Sequence, residues 1–183
     1  KEGLYMNYSF SEKVSHLQAS AIREILKFTS DPEVISFAAG NPAPEAFPVE
    51  EIERISKEIF AQDPILALQY SITEGYPKLR EQLKERLAKD GNFNPDRDDL
   101  IITSGAQQAN ELTAKVLCNE GDTVLLPTPC YPVFIAGAKM AGAEPYYYPM
   151  TKENGFLPNV ADIPEDVAKR AKYMIVSLPA NPV

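Results

Sequence analysis

From Leu100 onward, short apolar runs alternate with stretches whose apolar residues recur at helical spacing. The runs Ile101–Thr103, Thr123–Leu126, Glu144–Tyr148 and Tyr173–Leu178 read as strands. Strands alternating with helices predict an α/β fold with a mostly parallel, helix-covered sheet. The stretch from Leu100 to Asn110 carries the sharpest local pattern. Its apolar run breaks at Thr103-Ser104-Gly105, and Ala106, Ala109, Leu112, Thr113, Val116 and Leu117 then repeat as one side of a helix. Strand, tight turn and helix are expected there.

Upstream the pattern is different. Ser15 to Phe28 reads as one helix with Leu17, Ala21, Ile22, Ile25 and Leu26 on its apolar side. Gly40 to Pro48 is rich in proline, which restricts the residue before it, so an irregular, extended path is expected. A helix follows from about Val49 with Ile52, Ile55 and Ile59 inward. Another starts near Tyr76 with Leu79, Leu83 and Leu87 inward, and ends at Asp90-Gly91. Glu74 and Arg80 read as solvated charges at and on that helix. No internal repeat or low-complexity tract interrupts the chain.

Composition narrows the function classes. A chain of 183 residues with 44% apolar content can bury a sizeable core. The net charge of −8, without a basic cluster, argues against nucleic acid and against an anionic membrane surface as partners. No apolar run approaches the roughly 20 residues that a bilayer span needs. The N-terminus lacks the layout of a secretion signal, and it starts without Met as a trimmed chain would. Cys118 and Cys130 form neither a disulfide framework nor a metal set, so a reducing cytoplasm is the expected location. With His16 the only histidine, neither a catalytic triad nor a histidine-based metal site is expected, and no metal is assigned.

The turn at Ser104-Gly105 is where chemistry enters. A helix start leaves backbone N–H groups unpaired at the positive end of the dipole, and Thr103, Ser104 and Gln107 add side-chain donors. Such a place suits a phosphate or carboxylate, although an ordinary βα turn has the same outline. Further motifs accompany it in a fixed order. They are Ser36-Phe-Ala-Ala-Gly40-Asn-Pro, Ala67-Leu-Gln-Tyr70, Thr73-Glu-Gly-Tyr-Pro-Lys-Leu-Arg80, Thr103-Ser-Gly-Ala-Gln-Gln108, Pro127-Thr-Pro-Cys-Tyr131 and Pro179-Ala-Asn-Pro182. In order and approximate spacing these resemble the class I/II aminotransferases, fold-type I enzymes that use pyridoxal 5′-phosphate (PLP). The likeness is nearest to the branch acting on 2-aminoadipate, kynurenine and other bulky amino acids. It covers nearly all of this chain and the N-terminal half of a family member.

The resemblance assigns roles residue by residue. Ser104, Gly105, Ala106 and Gln107 match the phosphate cup, with Ala106 standing where relatives often carry Ser or Thr. Tyr131 matches the aromatic that stacks on the pyridine ring; the alternative is a core tyrosine. Asn181 matches the residue that donates its amide to the cofactor's phenolic oxygen; the alternative is a plain Asn-Pro turn. Tyr70 resembles the tyrosine that reaches across a homodimer to the partner's phosphate, the alternative being a buried helix-end tyrosine; Gly40 resembles the glycine lining the substrate carboxylate pocket, the alternative being a turn glycine. Thr128–Pro129 and Asn181–Pro182 are places where relatives use cis peptides. Cys130 reads as a small filler beside the site, since no base accompanies it.

The same resemblance implies what this stretch lacks. Transamination needs a Schiff-base lysine, an acidic partner for the pyridine nitrogen and a cation for the substrate carboxylate, and in the family these lie beyond the Asn-Pro motif. None of the twelve lysines here sits in the expected Ser/Thr-x-x-Lys setting. No catalytic residue is therefore assigned, and the stretch alone is expected to be inactive. Residues 1–48 read as an N-terminal arm and small-domain segment, and 49–183 as the N-terminal half of the cofactor domain. The function implied is transfer of an amino group from an amino acid to a 2-oxo acid. A PLP-dependent lyase or decarboxylase on the same fold stays open, as does the aminotransferase-like domain of a PLP-sensing transcription regulator. The latter would need a basic DNA-binding module, which Lys1–Ser30 does not resemble.

Overall fold

The computed structural model describes residues 9–15, 25, 33–35, 37 and 42–182. Two units emerge, one of residues 18–102 and one of residues 1–17 with 103–183. A single helical turn, α1 (Glu12–Ser15), precedes residues outside the described set, and the helix expected from Ser15 to Phe28 falls almost wholly there.

In the unit of residues 18–102, proline helps set where helices begin. Pro64 opens α3 (Pro64–Leu68) and Pro77 opens α4 (Pro77–Lys89), after α2 (Val49–Gln62). Its ring fixes φ for the first turn, where its missing N–H would have had no partner. Asp63 caps α3 by accepting the Leu66 N–H at 3.0 Å. As expected, α4 stops at Asp90, followed by Gly91 in the left-handed region at φ 74°. Within the stretch expected to be irregular, Pro44–Ala46 forms a 3-10 turn, while Gly40 and Asn41 lie outside the described residues.

Four expectations for residues 49–103 are corrected. Ile52, Ile55 and Ile59 share a face of α2, as the spacing predicts, yet they are 57, 41 and 46% exposed. Periodicity reports a face that can be buried; the described residues of this unit supply nothing to bury it. On α4, Leu83 and Leu87 are half-buried while Leu79 stays exposed. Arg80 is not a solvated charge. Its side chain is 15% exposed; Nε donates to the Leu100 carbonyl at 2.6 Å and Nη2 to Asp99 Oδ1 at 2.9 Å. Lys84 pairs with the same carboxylate. The Ile102 N–H donates to the Glu74 carbonyl at 2.9 Å. Residues 99–102 therefore form a strap over the start of α4. Ile101–Thr103 is not a strand, because its backbone bonds to a loop carbonyl instead of a parallel neighbour.

The other unit is built on β1 (Thr123–Thr128), which follows α5 (Gly105–Leu117). Next come α6 (Pro132–Met140), β2 (Glu144–Pro149), α7 (Glu165–Arg170) and β3 (Ala171–Met174). The three strands are parallel in the order β2-β1-β3, with Thr123 opposite Glu144 and Thr128 opposite Pro149. This is the α/β, helix-covered parallel sheet that the pattern predicts. The last strand begins two residues earlier than expected and its ladder ends at Met174.

Residues 123–127 of β1 are buried without a break, the mark of a strand covered on both faces. Val124 and Leu126 pack on one face with Ala138, Ala143, Phe134, Tyr173 and Ile175. Leu125 packs on the other with Tyr148, Met150, Ile163 and Val167. A register shift in β3 puts both Ala171 and Met174 on the Leu125 side. The buried side of α5 also differs from expectation. Val116 is 80% exposed and Leu112 and Leu117 are exposed, whereas Ala114 is fully buried. A Cβ on Gly137 of α6 would lie 3.8 Å from the Asn110 carbonyl oxygen. Small residues thus let α5 and α6 approach closely, so backbone proximity selects the contact face over side-chain bulk.

Two predictions test this account. Gly75 has φ 107°, and a Cβ there would stand 2.7 Å from Ile102 Cβ. Gly75→Ala should therefore destabilise the strap by roughly 2 kcal/mol or more, read as a lowered urea midpoint. The Lys84 ammonium, the Leu100 N–H and the Arg80 guanidinium hold the Asp99 carboxyl at about 2, below its ordinary 3.8. A depressed carboxyl contributes stability that is present above the ordinary value and lost as pH falls toward about 2. Acid titration by circular dichroism should show this loss between pH 4 and 2, and Asp99→Asn should abolish that component.

Candidate functional site

In parallel α/β sheets, ligand groups gather beyond the carboxyl ends of the strands. Here that edge lies past Thr128 of β1 and Met174 of β3, which are parallel neighbours. Tyr131 follows the first strand by three residues, and Asn181, itself exposed, follows the second within the Pro179–Pro182 segment. Topology thus brings two of the expected residues to one edge.

The turn before α5 supplies the third group. Ser104 is the N-cap, and its hydroxyl makes no capping bond. Gly105 sits at φ 78°, where glycine carries no steric cost, and a Cβ there would meet no atom within 4 Å. The first amides of a helix have no carbonyl partner within it, so those of Ala106 and Gln107 are directed outward from the helix start. Two donors expected to face a ligand are instead engaged locally. The Thr103 hydroxyl donates to the Gly105 carbonyl at 3.1 Å, and the Gly105 N–H donates to the Thr103 carbonyl at 2.9 Å. Ala106 and Gln107 are exposed.

Sequence reasoning missed Gln108. Its Oε1 accepts the Ser104 N–H at 2.5 Å, tying the first turn of α5 back onto the loop. The signal was the four-residue spacing between Ser104 and Gln108, the reach of one helical turn. It also missed Tyr148, which is 1% exposed and donates its hydroxyl to the Ile175 carbonyl at 2.5 Å. Its place in a run of three tyrosines hid which one turns inward.

Tyr131 is the N-cap of α6 and 39% exposed, so its ring is neither a core side chain nor fully solvated. Tyr131 and Phe134 meet in a T-shaped arrangement, with ring centroids 5.8 Å apart at 85°. Burial pushes the Cys130 thiol up, which fits a filler better than a nucleophile. Thr128–Pro129 and Asn181–Pro182 are cis, as the resemblance implies, and Leu178–Pro179 is cis as well. Tyr70 is 98% exposed in the other unit. Gly40 lies outside the described residues.

Outward amides over an open glycine, together with an aromatic ring, make a donor set that fits an aromatic phosphate ester. A cavity of about 810 Å³ is lined by Lys13, Glu120, Lys139, Gly142 and Glu144, among others, and includes none of the candidate site residues. It opens at the amino ends of β1 and β2, the edge where such sheets do not place their ligand groups. Among the described residues, no group of His, Cys, Asp or Glu is arranged to hold a metal ion, and no helix is long and apolar enough to cross a membrane.

Residues 32–183 match the family model of aminotransferase class I and II. The 2-aminoadipate transaminase of Thermus thermophilus is 37% identical over 169 residues, covering 92% of this chain and 41% of that protein. Among solved structures, the kynurenine aminotransferase of Pyrococcus horikoshii superimposes with a TM-score of 0.71 at 37% identity, covering 79% of this chain and 35% of that one. The α-aminoadipate aminotransferase LysN of T. thermophilus, complexed with N-(5′-phosphopyridoxyl)-L-leucine, gives 0.71 at 36%, covering 90% and 39%. The chain thus spans less than half the length of these relatives. The cofactor they indicate is pyridoxal 5′-phosphate. Over the greater part of its length, the chain belongs to the aminotransferase class I and II family, with the fold-type I architecture.

Proposed function

We propose that this chain supplies the PLP-holding half of an enzyme that transfers an amino group from an amino acid to a 2-oxo acid. The observation that carries this reading is the open helix start at Gly105, in one unit with Tyr131 and Asn181 at the carboxyl edge of the sheet. Ser104, Gly105, Ala106 and Gln107 would hold the phosphate, Tyr131 the ring, and Asn181 the phenolic oxygen. When bound, the cofactor supplies an electron sink for the amino acid's Cα. The chain's own part is to fix that ring in plane and neutralise its phosphate with backbone dipoles.

The relatives act on 2-aminoadipate and kynurenine by name, which favours a bulky amino acid as donor here. Tyr70, with its ring almost fully exposed, is free to reach the phosphate site of a second subunit, and a homodimer follows from that reading. Gly40 keeps its assignment to the substrate carboxylate pocket. We read residues 1–48 as arm and small-domain segment and 49–183 as half of the cofactor domain. Cys118 and Cys130 are free thiols, in keeping with a reducing cytoplasm.

Two outcomes are expected. PLP titrated into the 183-residue chain should bind saturably by absorbance, and borohydride should fix no pyridoxyl group on any of its lysines by mass. A lysine that gains the pyridoxyl mass would overturn the assignment of the Schiff-base lysine to residues beyond this stretch. Gly105→Asp should weaken PLP binding roughly tenfold or more, because a like charge in the cup opposes the phosphate. Equal affinity would remove residues 104–107 from the site.

A further inference from the structure

Between β3 and Asn181 the chain leaves the sheet, and one side chain reaches both ends of that excursion. Ile175 directly follows the last ladder residue, Met174. Its N–H donates to the Leu125 carbonyl at 2.9 Å, and its carbonyl accepts the Tyr148 hydroxyl at 2.5 Å. At the far end, Ala180 packs on the cluster formed by Leu125, Tyr148, Met150, Ile163 and Val167. Tyr148 thus grips residue 175 through its hydroxyl and belongs to the cluster that seats residue 180.

We propose that Tyr148 is a positioning residue for Asn181, holding the 175–180 segment so that the Asn181 amide meets the phenolic oxygen of PLP. This rests on the cofactor role proposed above for Asn181. The hydroxyl is suited to the task. It is buried, its oxygen donates to a backbone carbonyl that has left the ladder, and burial pushes its pKa up, so it stays a donor at neutral pH. Loss of that hydroxyl leaves the Ile175 carbonyl without its buried partner.

The test compares PLP with 3-deoxypyridoxal 5′-phosphate, the same molecule without the phenolic oxygen, by fluorescence titration of the chain. The wild-type chain should prefer PLP by roughly fivefold, the scale of one hydrogen bond. Tyr148→Phe should bring the two affinities to within about twofold, and Asn181→Ala should do the same with no further loss in the double variant. Val167→Ala trims the same cluster without touching the hydroxyl; it should lower the melting temperature and keep the preference. A preference preserved in Tyr148→Phe, or equal weakening toward both ligands, overturns the proposal while leaving the cofactor reading intact. A wild-type chain that binds neither ligand overturns both. Amide exchange provides a second measurement that needs no substitution, should Tyr148→Phe not fold. PLP should slow exchange at Ile175 as well as at residues 180–181, and an unchanged Ile175 overturns the proposal.

Discussion

Burial of β1 on both faces is the constraint from which the rest of the residue 103–183 unit follows. A strand whose backbone is removed from water must pair all its N–H and C=O groups, and β2 and β3 provide that on either side. Its side chains then need apolar cover above and below. Val124 and Leu126 draw α6 onto one face, while Leu125 draws Ile163 and Val167 of the α7 region onto the other. Each fully buried side chain of this size contributes on the order of 1.5–3 kcal/mol. The parallel direction of the three strands has a further result. All their carboxyl ends lie at one edge, so the residues that follow them are brought together without any direct contact between loops.

The candidate site uses that edge economically in chemical terms. The anion-binding groups proposed for it are backbone amides, which cannot be lost by side-chain substitution and carry no titration. Side chains instead fix the backbone: Gln108 holds Ser104, and the Thr103 hydroxyl braces the turn through the Gly105 carbonyl. Under the proposed reading, such an arrangement lets Ala106 stand where the resemblance implies that relatives often carry a hydroxyl. The amide remains, and the loop geometry is set from elsewhere.

The unit of residues 18–102 follows a different logic. Its helices are held by two local devices, the Asp63 cap and the Arg54 fork onto Glu51, and by the longer-range Arg80–Asp99 strap. Its large apolar side chains, Ile52, Ile55 and Ile59 among them, stay exposed among the described residues. Surface ion pairs of this kind are worth little each. The strap differs because Arg80 is largely withdrawn from solvent and bonds a main-chain carbonyl.

The sequence by itself determined the local elements and the ordered motifs. The helix start at Pro77, the stop at Gly91, the strands from Thr123 and Glu144, and the turn at Gly105 all rest on single-residue conformational limits or on short-range periodicity. Such limits are written in the chain. Tertiary structure decided which faces are used and which polar groups are spent. Val116 faces outward because Gly137 lets α5 approach through its small residues, and Ile101 is no strand because Arg80 and Glu74 take its neighbours' backbone groups. Likewise Tyr148, one of three adjacent tyrosines, is the buried one because a register fixes which side of β2 meets Ile175. These outcomes depend on partners tens of residues away, and no local pattern carries that information.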